Sequence, residues 1–95
     1  MYYRINRVSF DSDKFDSIMA AVESKRELFE SFEGLQNSRI VRISETEAIT
    51  IAEYDTEENL ENSKTEFADM MKEMVIMFNS VDTSYGEKVW HFSRD

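Results

Sequence analysis

Two amphipathic helical stretches interleaved with four strand-like runs predict an α+β fold in the order β-α-β-β-α-β. Three observations carry that prediction. The stretch Arg39 to Asp55, RIVRISETEAITIAEYD, holds two β-rich runs joined by the polar turn Ser44 to Glu47. Apolar residues at helical spacing flank it on both sides, from Phe15 to Phe32 and from Leu60 to Phe78. Runs with aromatic residues and strand-like alternation stand near both ends of the chain, Tyr2 to Phe10 and Glu87 to Phe92.

In the first run Tyr3, Ile5, Arg7 and Ser9 alternate with Tyr2, Arg4, Asn6, Val8 and Phe10, so each face of that strand carries an arginine. Asp11 or Ser12 caps the helix that follows, with Asp13 and Asp16 in its first turn, where the helix dipole favours acidic groups. Phe15, Ile18, Met19, Val22, Phe29 and Phe32 form one apolar stripe, and Gly34 supplies the stop. In the hairpin, Ile40, Val41 and Ile43 mix with Arg39 and Arg42, which suits an edge strand. Ala48 to Tyr54 differs: Ile49 and Ile51 face one way, Ala48, Thr50, Ala52 and Tyr54 the other, and no charge precedes Glu53. A strand without charge on either side is expected to be buried on both, inside the sheet.

Asp55, with Glu58 three residues on, opens the second helix in the manner of a capping box. Leu60, Phe67, Met70, Met71, Met74, Met77 and Phe78 form its apolar stripe, and the polar run Asn62 to Thr65 leaves room for a break. Asn79 to Gly86 reads as loop, and Glu87 to Phe92 as the last strand. This order is the ferredoxin-like one: a four-stranded antiparallel sheet, first and third strands in its middle, with two helices on one face. The other face then needs a cover, and a second sheet is the simplest.

Composition narrows the function. A chain of 95 residues predicts a single domain spanning 1–95; one of this size buries only about two-thirds of the surface its unfolded form exposes, so a partner subunit would add to a small core. With 20 acidic residues against 11 basic, a net charge of -9 and a pI near 4.5, neither nucleic acid nor an anionic membrane is the expected partner. The longest apolar run, Met74 to Phe78, is far too short to span a bilayer, and MYYRINR lacks a signal-peptide core, so a cytoplasmic protein is expected. Without cysteine there is no disulfide, thiolate metal site or cysteine nucleophile, and one histidine is too few for the usual zinc sites. Zero proline and 2 glycines leave no glycine-rich phosphate loop.

The segments INRVSF, EGLQNSRIVR and AITIAEYD, the last running straight into a helix with apolar and acidic residues, resemble the antibiotic biosynthesis monooxygenase family of small dimeric α+β barrels. Tyr54, Asp55 and Thr56 match the aromatic, polar and hydroxyl residues that end the third strand in that family. The resemblance spans nearly the whole chain as a pattern of elements. It implies a homodimer whose sheets face each other as a barrel, and a pocket in each subunit between sheet and helices. For the family's oxygenases it implies oxidation of a small aromatic or polyketide-like compound with no metal and no flavin. The haem-degrading branch carries an asparagine on the first strand, matched by Asn6, but also Trp and His on the second helix, and Asp55 to Phe78 holds neither. Haem degradation by that route is not expected.

Three residues are candidates for catalysis. Asn6 offers donors and an acceptor to a substrate carbonyl or a bound oxygen species; Tyr54 offers a hydroxyl to a phenolic ligand; His91 is the one side chain that ordinarily titrates near neutrality, a natural base for a phenol. Candidates for ligand binding are Arg4, for a carboxylate or phenolate, and Phe67, Met70, Met71, Met74 and Trp90, for a flat apolar body. Each has a plainer explanation. Asn6 bonds backbone or water, Arg4, Arg7, Arg39 and Arg42 pair with Glu45, Glu47, Glu53 or a partner subunit, the Met and Phe residues fill a core, and Trp90 packs with Phe92 at a dimer contact. The alternative to an oxygenase is therefore a non-catalytic dimeric module that binds an apolar metabolite or a protein partner.

Overall fold

The strand expected inside the sheet is there. In the computed structural model, which describes residues 1–94, β1 (Tyr2–Ser9), β2 (Leu35–Arg42), β3 (Glu47–Tyr54) and β4 (Ser80–Glu87) form one antiparallel sheet in the order β2-β3-β1-β4. Helices α1 (Phe15–Glu23), α2 (Arg26–Ser31) and α3 (Glu57–Met74) complete the βαββαβ plan, which is ferredoxin-like. The strand alternation decides which residues meet the helices. Arg4, Asn6 and Val8 of β1 lie opposite Ala52, Thr50 and Ala48 of β3, and this set is turned inward. Val8, Phe10, Ile18, Ala48 and Met74 form the main core, and Ala52, Tyr54 and Leu60 a second one at the other end of the sheet.

The sheet's other side holds Tyr3, Ile5 and Arg7 beside Glu53, Ile51 and Ile49. Within the chain this side is open, with Ile5 and Val41 exposed and Ile49 and Ile51 half-buried. So β3 is central, but on its open face Ile49 and Ile51 are only half-buried, against the expectation of burial on both sides. Among the described residues no helix is long and apolar enough to cross a membrane.

Four expectations are corrected. The first helix is two: Ser24 and Lys25 interrupt it, and the Lys25 amide turns to the Val22 carbonyl at 2.9 Å, three residues back instead of four. The cap of α3 is Thr56, whose hydroxyl accepts from the Asn59 amide at 3.1 Å; Asp55 instead accepts from the Asn59 side chain at 2.8 Å. No break occurs in α3, which runs unbroken over Glu57–Met74 with Ser63 turned inward. The last strand runs over Ser80–Glu87, and Lys88–Arg94 is not a strand. Its polar residues hide it from a hydrophobic pattern, yet it pairs with β1 along its full length, Tyr2 with Glu87 through Ser9 with Ser80. The ladder closes with the Lys88 amide donating to the Met1 carbonyl, and residues 89–92 lie beyond it.

Gly34 fastens the hairpin to α3. Its φ of +81° is one that side chains rarely adopt, its carbonyl accepts from the Asp55 amide at 2.9 Å, and an added Cβ would collide with the Asp55 and Asn59 side chains. Gly34→Ala is therefore expected to lower stability by more than about 1 kcal/mol in chemical denaturation, with the fold retained.

Candidate functional site

Short side chains at the centre of the sheet leave a space under the helices. Ala48, Thr50 and Ala52 of β3, with Arg4, Asn6 and Val8 of β1, floor a cavity of about 400 Å³. Its roof comes from Ile18, Met19 and Val22 of α1, Phe29 of α2, and Phe67, Met70, Met71 and Met74 of α3. At its rim stand the exposed Glu23, Arg26 and Glu30, facing Gln36, Asn37 and Ser38 of β2. The volume falls within the range of small-molecule sites, roughly 300–1,000 Å³.

Arg4 is the unusual member. Only 1 % of it is exposed, and its guanidinium donates to the Tyr54 hydroxyl at 3.2 Å and the Ser63 hydroxyl at 2.6 Å. The same group lies 3.8 Å above the Phe67 ring and 5.4 Å from the Tyr54 ring centre. Its Nε has no acceptor. The sequence treats the strand arginines alike, as partners for glutamates. That holds for Arg7, paired with Glu47 at 3.0 Å, but no such pair reaches Arg4 among the described residues. Arg42 instead donates to the Ser44 and Glu45 carbonyls and lies over the Phe15 ring.

Of the predicted site residues, the cavity brings together Arg4, Asn6, Tyr54, Phe67, Met70, Met71 and Met74. Tyr54 is wholly buried. The Asn6 amide donates to the Thr50 hydroxyl at 3.1 Å, and its carbonyl accepts from Thr83 of β4 at 2.6 Å. His91 and Trp90 are elsewhere: they follow β4 on the open face, around a shallow hollow with Tyr3, Ile5 and Ile51. Among the described residues no group of His, Cys, Asp or Glu side chains is arranged to hold a metal ion.

Sequence reasoning missed Ser63, Thr50 and Thr83. Ser63 had a signal, since Leu60, Ser63, Phe67, Met70 and Met74 repeat at alternating steps of three and four, which sets a serine in the inward stripe of α3. It missed a second polar cluster too, on the open face. There Glu53 accepts from the Tyr3 hydroxyl, from the Lys88 ammonium at 3.0 Å and from the Asn37 amide at 3.0 Å. The Tyr3 hydrogen bond, then that of Lys88, holds the Glu53 carboxyl down at about 2 against burial that would raise it. Burial and the bond to Glu53 push the Tyr3 hydroxyl up.

A carboxyl held down in the folded state adds stability that is complete above its ordinary value of 4.5 and is lost as pH falls toward about 2. Glu53→Gln is expected to cost on the order of 2 kcal/mol at neutral pH, a deficit that narrows as pH drops below about 4.5. Paired melting curves from neutral to strongly acidic pH check this; a deficit that does not change with pH rules out the assignment.

No family model matches the sequence. No curated protein matches it either. In three dimensions it is similar to a protein from Nitrosomonas europaea provisionally described as an antibiotic biosynthesis monooxygenase, with a TM-score of 0.78 at 15 % identity over 95 % of this chain and 100 % of that one. A dimeric ferredoxin-like protein from an uncultured marine organism matches at a TM-score of 0.78 and 18 % identity, over 98 % of both chains. A variant of SnoaB, a cofactor-independent oxygenase from Streptomyces nogalater, matches at 0.75 and 11 % identity, over 95 % of this chain and 94 % of that one. At such identities the likeness is one of fold, and the fold is the ferredoxin-like one that the sequence pattern predicts.

Proposed function

We propose that the cavity takes a small, flat, largely apolar compound, aromatic or polyketide-like, and that the protein oxidises it with molecular oxygen without metal or flavin. The observation that supports this most is the cavity itself, walled by Met and Phe side chains, with Arg4, Asn6 and Tyr54 converging on it from the sheet. The oxygenase half of the proposal draws on SnoaB, a cofactor-independent oxygenase of the same fold. The chemistry balances without a further reductant: an activated methylene plus O2 gives a carbonyl plus water, the substrate supplying all four electrons. Removal of the first proton leaves a carbanion whose charge rests on a phenolic or enolic oxygen. The Tyr54 hydroxyl, bonded to Arg4, would hold that oxygen, and the second hydrogen of the Asn6 amide would reach an adjacent one. We assign His91 no step, since it stands on the other side of the sheet from the cavity.

One observation favours the second reading, a binding module without catalysis: the Asn6 side chain is already engaged by Thr50 and Thr83. Oxygen consumption with a panel of anthrones, naphthols and hydroquinones separates the two. The oxygenase reading expects uptake by the wild type and a fall of at least about tenfold in Tyr54→Phe. Compounds that bind but drive no uptake would establish the binding module instead.

We also propose a homodimer that joins the two open sheet faces. Support comes from the exposed Ile5 and Val41, from the Val89, Trp90 and Phe92 side chains standing out in solvent, and from the dimeric marine protein of the same fold. Ile5→Glu sets a charge in the middle of that face and is expected to convert dimer to monomer in native mass spectrometry. A wild-type monomer at micromolar concentration overturns the proposal.

A further inference from the structure

We infer that the occupant of the cavity carries one anionic oxygen group, a carboxylate or an ionised phenol or enol, and that this group docks against Arg4. The inference rests on the ligand-cavity reading above and adds the charge of the ligand to it. A guanidinium keeps its charge inside a protein. Burying one costs several kcal/mol, recovered only when the charge is paired and its donors are satisfied. Arg4 is 1 % exposed, yet its two bonded partners, Tyr54 and Ser63, are neutral hydroxyls, and its Nε has no acceptor. The Phe67 ring at 3.8 Å offsets part of that cost, because an aromatic face attracts a desolvated cation. The gain falls short of a buried charge's cost, so the ring alone does not account for Arg4.

The arrangement of carboxylates sharpens the point. Glu53 neighbours Tyr54 in sequence, but strand alternation carries it to the opposite face, where it is committed to Tyr3, Lys88 and Asn37. Glu23 and Arg26 at the rim satisfy each other through two bonds of 2.9 Å, with both side chains more than half in solvent. Arg4 is thus the sole charged side chain lining the cavity that is buried, among the described residues, and the surrounding walls are apolar. One buried cation in a largely apolar chamber, whose carboxylates Glu23 and Glu30 stand exposed at the rim, selects a largely apolar molecule with a single negative oxygen group.

Calorimetric titration of the 95-residue protein with 2-naphthoate and with 2-naphthamide, its neutral counterpart of the same shape, tests this. The naphthoate is expected to bind at least about tenfold more tightly, and the preference to vanish in Arg4→Gln, whose amide can still reach Ser63 or Tyr54. The wild-type pair decides even if that variant fails to fold. Equal affinities, or tighter binding of the amide, overturn the inference while leaving the cavity as a ligand site; binding of neither compound overturns both. A titration of 2-naphthol on both sides of its ionisation names the source of the charge. Tightening on ionisation in the wild type, absent in Arg4→Gln, extends the site to phenolates, and no tightening confines it to carboxylates.

Discussion

The pairing of β1 with β3 is the constraint on which the rest depends. Its register sets Arg4 against Ala52, Asn6 against Thr50 and Val8 against Ala48, so that every floor residue of the cavity comes from one alternating set. A slip of one residue would send all of them to the open face and bring Tyr3, Ile5 and Arg7 under the helices. Alternating burial along β1, with Arg4, Asn6 and Val8 buried and Ile5 and Arg7 exposed, pins the register thermodynamically. Small residues on β3, Ala48, Thr50 and Ala52, then leave space beneath the helices.

Much of this was legible in the residues themselves. The order of elements, the central place of Ala48 to Tyr54 and the gathering of Arg4, Asn6, Tyr54 and the α3 methionines on one side follow from two periodicities, two for strands and 3.6 for helices. What stayed hidden was polar. The last strand carries Asp82, Thr83, Ser84 and Glu87, all exposed, so its existence is dictated by the free edge of β1 and not by any pattern of its own. Its true position also moved His91 and Trp90 out of the sheet and onto the open face. The break after Glu23 likewise lies in the backbone, where the Lys25 amide bonds the Val22 carbonyl, a local choice no apolar stripe reports.

The two faces of the sheet manage charge in opposite ways. On the open side Glu53 gathers three donors, one of them cationic, and becomes a strongly held anion that ties the residue after β4 to the middle of the sheet. On the helix side Arg4 gathers hydroxyls and rings but no anion. The first cluster is complete within the chain and acts as a fastening. The second is as deeply buried, and its guanidinium meets only neutral hydroxyls and aromatic rings.

The exposed polar strand has a further consequence for how copies of this chain meet. One sheet edge is β4, whose outer residues include Asp82 and Glu87; the other is β2, which carries Arg39 and Arg42 in solvent. Charged edges discourage the lateral strand addition that turns sheets into endless ribbons. In the homodimer proposed above, association would be directed perpendicular to the sheet, across its open side, where contact between two identical surfaces about a twofold axis would end growth after a single step.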